Sequence, residues 1–198
     1  MRRFIVIGHE APIDPTFSLD DLPGTAGRLD VLCACVSAAL LRSHAIRDES
    51  EIVAIHQDEL SVRFSGEAIR NVRPDERSTA GRFQAALRAA ENAIGAVEVE
   101  ASPGVSVSRL DLEDVLARSE GTIVHLDPRG DPLPTLDPTD DLTCILSDHH
   151  AFTDADVERI DTIADRRLSV GPLALHAAQA ITVVHNYLDT DGFRTYAP

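Results

Sequence analysis

Residues 122–173 read TIVHLDPRGDPLPTLDPTDDLTCILSDHHAFTDADVERIDTIADRRLSVGPL, and their rhythm decides the fold. Thr122–Leu126 and Thr143–Leu146 are short, largely apolar runs of the kind that form buried strands. Between them, Asp127 to Asp141 carries four prolines and reads as a polar loop. Thr153, followed three residues later by Asp156, is a helix N-terminal signature. Leu168–Val170 is a very short strand closed by Gly171-Pro172, and Leu173 to Asp189 reads as the last long helix. Strands alternating with helices predict an α/β fold around a mostly parallel sheet.

The same reading extends towards the N-terminus. Phe4–Gly8 is a buried strand, and a proline-rich loop from Ala11 to Gly27 leads into a helix from Arg28 to His44. That helix places Leu29, Leu32, Val36 and Leu40 on one face. Ile52–His56 and Leu60–Phe64 form a hairpin turning at Gln57-Asp58-Glu59. A second amphipathic helix runs from Arg77 to Ile94 and stops at Gly95. Short strands follow at Val97–Val99 and Val105–Val107, and then a helix from Asp111, its N-cap, to Arg118. No internal repeat or low-complexity linker interrupts the 198 residues, so one domain spanning 1–198 is expected.

Composition narrows the class. With 43% hydrophobic residues the chain can bury a sizeable core. No apolar run approaches the roughly 18 residues of a membrane span, and no charged-then-apolar leader precedes the first strand. Cys33, Cys35 and Cys144 suit neither a disulfide framework nor a CxxC metal pair, which points to a reducing cytoplasm. The formal charge is −15, and all 18 basic residues are arginine. Lysine-free acidity of this kind suits a halophile, whose surface must stay hydrated at low water activity. At about 1 M salt the Debye length is about 3 Å, so self-repulsion is screened and acidity does not exclude a nucleic-acid partner.

The commonest α/β chemistries are missing. The first strand is not followed by GxGxxG, a P-loop is impossible without lysine, and GxSxG is absent. What remains are three loops at the carboxyl ends of predicted strands, where open α/β sheets bind ligands: residues 126–130, 146–150 and 168–173.

Those loops carry a resemblance. FIVIGHEAP (4–12), DLPGTAGRLDVLC (21–33), VHLD (124–127), ILSDHHAFT (145–153) and LSVGPLALHAAQAI (168–181) occur in the order found in the archaeal tRNA pseudouridine-54 N1-methyltransferases. The chain resembles that family, a branch of the SPOUT class of RNA methyltransferases, over nearly its whole length. The resemblance implies a SPOUT α/β-knot with a C-terminal deep trefoil knot in about residues 120–190, an exception to the un-knotted rule. It implies a homodimer with the active site at the subunit interface, and S-adenosyl-L-methionine held in a bent shape by the knot loops. Carried over position by position, the cofactor contacts are Leu126, Ser147, Leu168, Ser169, Val170, Gly171, Pro172, Leu173 and Ala178. Ser147 stands where the family usually has glycine, Ala178 where it often has cysteine, and Ala34 where arginine is expected.

The implied reaction is methylation of N1 of pseudouridine 54 in the T arm of tRNA, giving N1-methylpseudouridine. Alternatives are the related ribosomal RNA pseudouridine N1-methyltransferases and a non-catalytic RNA-binding knot protein. Methyl transfer from a sulfonium needs an acceptor held near 3–3.5 Å and a route for one proton. Asp30 and Arg28, in the GRLD motif, are the catalytic candidates, the carboxylate as proton acceptor and the guanidinium as anion stabiliser.

The RNA face is expected in the basic stretch between residues 63 and 88, with Arg73 and Arg77 as its representatives. The alternative is a surface hairpin and helix whose arginines pair with neighbouring acids. No metal is expected: His149 and His150, adjacent on a loop, should point apart, and no third ligand sits at a familiar spacing. His176 and His185 read as interface or core groups, Cys33 and Cys35 as buried small hydrophobes, and Asp20-Asp21 and Asp140-Asp141 as solvated loop charges.

Overall fold

In the computed structural model, residues 1–138 and 141–196 are described; Asp140 of the Asp140-Asp141 pair lies outside them. In chain order the elements are β1 (Arg2–Gly8), the single-turn α1 (Leu22–Thr25), α2 (Leu29–Leu40), a small hairpin of β2 (Leu41–Arg42) and β3 (Ala45–Ile46), β4 (Ser50–His56) and β5 (Leu60–Ser65). Then come α3 (Glu76–Ala89), β6 (Val99–Ser102), β7 (Val105–Ser108) and α4 (Leu112–Ala117). The C-terminal part holds β8 (Thr122–Pro132), β9 (Leu142–Ser147), α5 (Asp154–Ile163), β10 (Arg166–Ser169) and α6 (Ala177–Asp189).

The main sheet runs β10-β8-β9-β1-β4-β5-β7-β6. Its first five strands are mutually parallel, and β5, β7 and β6 continue it antiparallel. The mostly parallel α/β sheet expected from the rhythm is therefore present. β1 shows why its sequence is apolar without alternation: Phe4 and Val6 enter a core shared with α2, α3 and α6, while Ile5 and Ile7 enter one beneath α4 and α5. A strand covered on both faces has no polar side.

Helix starts follow local chemistry. The side chains of Asp75 and Asp111 accept from the Ser78 and Asp114 N–H groups and cap α3 and α4. Thr153 and Asp156 form a reciprocal capping box at α5. At α2 there is no side-chain cap, and Arg28 sits at φ 58° immediately before the first turn.

Three expectations are corrected. β8 does not end at Leu126: it continues through the proline-rich segment to Pro132, because β10 pairs with both of its ends. Arg166 and Arg167 lie opposite Val124 and His125, the register shifts, and Leu168 and Ser169 lie opposite Asp131 and Pro132. α6 begins at Ala177, not Leu173. Leu173 and Leu175 instead stay on an exposed loop, 74% and 41% accessible. The strand expected at Val97–Val99 is displaced to Val99–Ser102. Among the described residues, no helix is long and apolar enough to cross a membrane.

Two buried histidines make stability pH-dependent. His56 is fully buried, its Nδ1–H donating to the Pro12 carbonyl at 2.7 Å, and burial pulls its pKa down to about 4. His185 on α6 accepts from Arg2 at 3.2 Å through Nδ1, so Nε2 carries the proton that goes to the Ala39 carbonyl at 3.0 Å. Burial, aided by Arg47 and Arg2, lowers its pKa to about 4 as well. The unfolded chain takes up these protons near pH 6.5, the folded chain only near pH 4. Their contribution is present above 6.5 and lost as pH falls towards 4, up to about 3 kcal/mol for each. At constant KCl, the melting temperature of the wild type is expected to fall through this window. His185→Gln should flatten that fall, and an identical profile in the variant would remove His185 from the account.

Candidate functional site

Because β8, β9 and β10 are parallel, the loops that follow them emerge on one edge of the sheet. They line an open cavity. Of the sequence-predicted residues, Leu126, Ser147, Leu168, Ser169, Val170, Gly171 and Leu173 line it. Pro172 and Ala178 do not. Asp127, Pro128 and Leu146, from the loops marked in the sequence, also line it, and Leu175, Ala177 and Ala180 complete the wall without any sequence signal.

The polar groups of this wall are committed to the loops themselves. Ser147 Oγ donates to the His150 carbonyl at 2.6 Å, and Ser169 Oγ donates to the Gly171 carbonyl at 2.6 Å. A Cβ at Gly171 would meet nothing within 4 Å, so the position borders open space. Asp127 accepts from the Arg129 guanidinium at 3.1 and 2.8 Å and from its backbone N–H at 2.7 Å, which lowers its pKa to about 2. The result is a cavity of apolar side chains and close backbone, its one carboxylate, Asp127, already paired with Arg129. That lining suits a ligand with a flat apolar ring.

A second, larger cavity adjoins the first, sharing Leu126, Asp127, Pro128, Ser147 and Leu175, and continues past Asp148, His149, His150 and His176. Asp148 anchors its edge, accepting from the His9 N–H at 2.9 Å, from His9 Nδ1 at 3.1 Å and from the His150 N–H at 2.8 Å. His9 Nε2 lies 3.1 Å from Asp156. The bond to Asp148, reinforced by Asp156, pushes His9 up to about 9, so it stands as an imidazolium between two carboxylates. No sequence motif pairs residue 9 with 148 and 156; the adjacency of β1 and β9 does.

Arg28 and Asp30 form a two-point pair, both guanidinium–carboxylate contacts at 3.0 Å, at the start of α2. Neither lines the two cavities. Gly27 packs against the Glu10 backbone so closely that a Cβ would lie 1.7 Å from the Glu10 carbonyl oxygen, which seats the GRLD turn on the loop after β1.

The basic stretch is divided by its contacts. Arg63 forks onto Glu98 at 3.0 and 2.6 Å, and Arg70 and Arg82 bond backbone carbonyls of residues 67–71. Arg77 pairs with Asp20 on the surface, and Arg73 is exposed. Asp21 is not simply solvated: it caps α1. Cys33 and Cys35 are buried, and burial raises both thiols, Cys35 to about 12. His185 is a core group, while His176 stays exposed at the start of α6.

With this geometry in place, similarity to known proteins is informative. The profile of the family described as "Putative SAM-dependent RNA methyltransferase" matches residues 1–193. A tRNA (pseudouridine(54)-N(1))-methyltransferase from Haloarcula marismortui is 50% identical over 198 residues, covering 99% of this chain and 100% of the relative. Relatives of the same name from Haloferax volcanii and Halobacterium salinarum are 49% and 50% identical with equal coverage. The chain belongs to the tRNA (pseudouridine(54)-N(1))-methyltransferase family. A solved structure, Archaeoglobus fulgidus Nep1 bound to S-adenosylhomocysteine, superposes with a TM-score of 0.66 at 12% identity, covering 95% of this chain and 97% of that one. At that identity the likeness concerns the fold alone.

Proposed function

We propose that this chain transfers a methyl group from S-adenosyl-L-methionine to N1 of pseudouridine 54 in the T arm of tRNA. The observation that carries this reading is full-length identity of about 50% to relatives of that name, joined to an apolar cavity at the expected loops. Bound S-adenosylmethionine supplies an electrophilic methyl on a positively charged sulfur. Leu126, Ser147 and residues 168–171 and 173 would hold it through apolar side chains and backbone groups. Ser147 fits despite its extra Cβ, because its hydroxyl is spent on His150.

Asp30 takes the proton of pseudouridine N1, and Arg28 holds that carboxylate in register through its two-point contact. Since this pair lies outside the cavity of its own chain, the reading includes a homodimer in which the acceptor site forms between subunits. It also includes one domain of residues 1–198, a C-terminal trefoil knot in about residues 120–190, and a cytoplasmic, high-salt setting. The knot is supported by α6, which follows β10 and returns to pack under the β8–β9 connection: Leu133 and Leu136 share its core, and the Tyr187 hydroxyl donates to the Leu136 carbonyl. High salt is supported by the charge of −15 without lysine.

The deciding experiment measures labelled-methyl incorporation in multimolar KCl into two tRNAs differing only in pseudouridine or uridine at position 54. Transfer to the pseudouridine form alone is the expected result. Transfer to neither, with S-adenosylhomocysteine still bound, overturns the tRNA assignment in favour of a ribosomal acceptor; absence of cofactor binding favours the non-catalytic reading.

Arg73 and Arg77 are the proposed RNA contacts. Their joint replacement by alanine is expected to weaken tRNA binding and reduce its salt slope by about two. An unchanged slope would return these arginines to ordinary surface pairing.

A further inference from the structure

We infer that Glu10, His149 and His150 form a binding site for a divalent transition-metal ion at the rim of the larger cavity. The three side chains come from two loops, Glu10 after β1 and the histidines after β9, made neighbours by the parallel pairing of those strands. One donor atom from each lies within 4.8 Å of the others. His150 Nε2 is 3.3 Å from Glu10 Oε1, and His149 Nε2 is 3.9 Å from Glu10 Oε2. An ion with bonds of about 2.0–2.2 Å bridges donors separated by about 3.3–4.2 Å. The exposed Glu10 carboxylate needs only a small swing to meet that spacing.

The divergence expected of adjacent histidines does not occur. Their ring centroids are 3.9 Å apart at a 44° tilt, and both Nε2 atoms face the same carboxylate.

The surroundings of His149 point the same way. Its Nδ1 is buried and has no hydrogen-bond partner, yet lies 3.5 Å from Asp148 Oδ2. Ligation through Nε2 places the proton on Nδ1, facing that carboxylate, which is the outer-shell arrangement that orients metal-bound histidines. Asp148 is itself buried, its side chain 2% exposed and hydrogen-bonded by His9 and the His150 N–H. Two imidazoles and one carboxylate select zinc, nickel or cobalt over magnesium or calcium, which prefer all-oxygen shells. The remaining coordination positions are left for water or an oxygen donor of a molecule in the cavity. Such an ion would tie the β1 and β9 loops together beside the cofactor site.

The test is calorimetric titration of ZnCl2 into the full chain in phosphate-free KCl buffer, with MgCl2 in parallel. One zinc per chain, no magnesium binding at the same concentrations, and a zinc-dependent rise in melting temperature are expected. Glu10→Gln, His149→Ala and His150→Ala should each weaken zinc at least about tenfold. Cobalt should show visible absorption bands that the histidine variants lack. Circular dichroism confirms that each variant is folded, and any one folded variant suffices. Failure of zinc to bind, or equal affinity in the folded His149→Ala/His150→Ala double variant, overturns the site. Titration with S-adenosylhomocysteine in the same preparation reports the methyl-transfer reading separately.

Discussion

Asp30→Ala is expected to lower kcat for methyl transfer by about 10²–10⁴-fold, the usual worth of a positioned proton acceptor, while cofactor affinity changes little. The separation follows from geometry: Asp30 sits at the first turn of α2, outside both cavities walled by the loops after β8, β9 and β10. Its partner Arg28 makes contacts of 3.0 Å to each of its oxygens. Two further variants distinguish taking the proton from merely placing the arginine. Asp30→Asn keeps an oxygen for the guanidinium but cannot take a proton, so it should be nearly as inactive as alanine. Arg28→Ala should lose less, and its deficit should shrink as pH rises and the acceptor N1 ionises without help. Near-wild-type turnover for Asp30→Asn would leave Asp30 as a positioning residue only. Single-turnover kinetics with saturating cofactor and pseudouridine-containing tRNA measure all three.

Gly130→Val is expected to cost stability and cofactor binding together. A Cβ at residue 130 would lie 2.6 Å from Leu168 N and 2.7 Å from the carbon and oxygen of the Arg167 carbonyl. All three are backbone atoms of β10, so no side chain can swing aside, and β10 must move away from β8. The expected loss is about 3 kcal/mol or more, in the range of strained or overpacked cores. Residues 169–173 continue directly from β10 into the cavity wall, so S-adenosylhomocysteine binding should fall with it. Gly81→Ala is the control. It lies within α3, where a Cβ meets nothing within 4 Å, and it should stabilise the chain by up to about 1 kcal/mol. Chemical denaturation of both variants and a cofactor titration decide the matter. A Gly130→Val protein with wild-type stability would show that the β8–β10 contact does not support the site.

These cases mark where the linear chain could be read and where it could not. The β4–β5 hairpin, the Asp111 cap and the Thr153/Asp156 box depend on neighbours within a few residues, and they appear where the pattern places them. Most of the residues that line the first cavity lie in loops the sequence marks at strand ends, because the strands themselves are recognisable from their apolar runs. Pro172 and Ala178, named on the family resemblance, do not line the cavity, and α6 begins four residues later than its apolar pattern suggests. Residues 173–175 run as a loop, two of them against the cavity, and the helix then offers Ala177 and Ala180.

The amino-acid sequence by itself determined the alternation of strands and helices, the apolar runs buried on both faces, the lysine-free acidity and the ordered motifs of the family. Each of these depends on side-chain chemistry or on spacing within one element. Tertiary structure alone decided that a proline-rich segment becomes half of β8, because its strand character comes from a partner edge about 40 residues later. It alone joined His9 to Asp148 and Asp156, and Glu10 to His149 and His150, because parallel pairing of β1 with β9 sets side by side two loops that no local pattern relates.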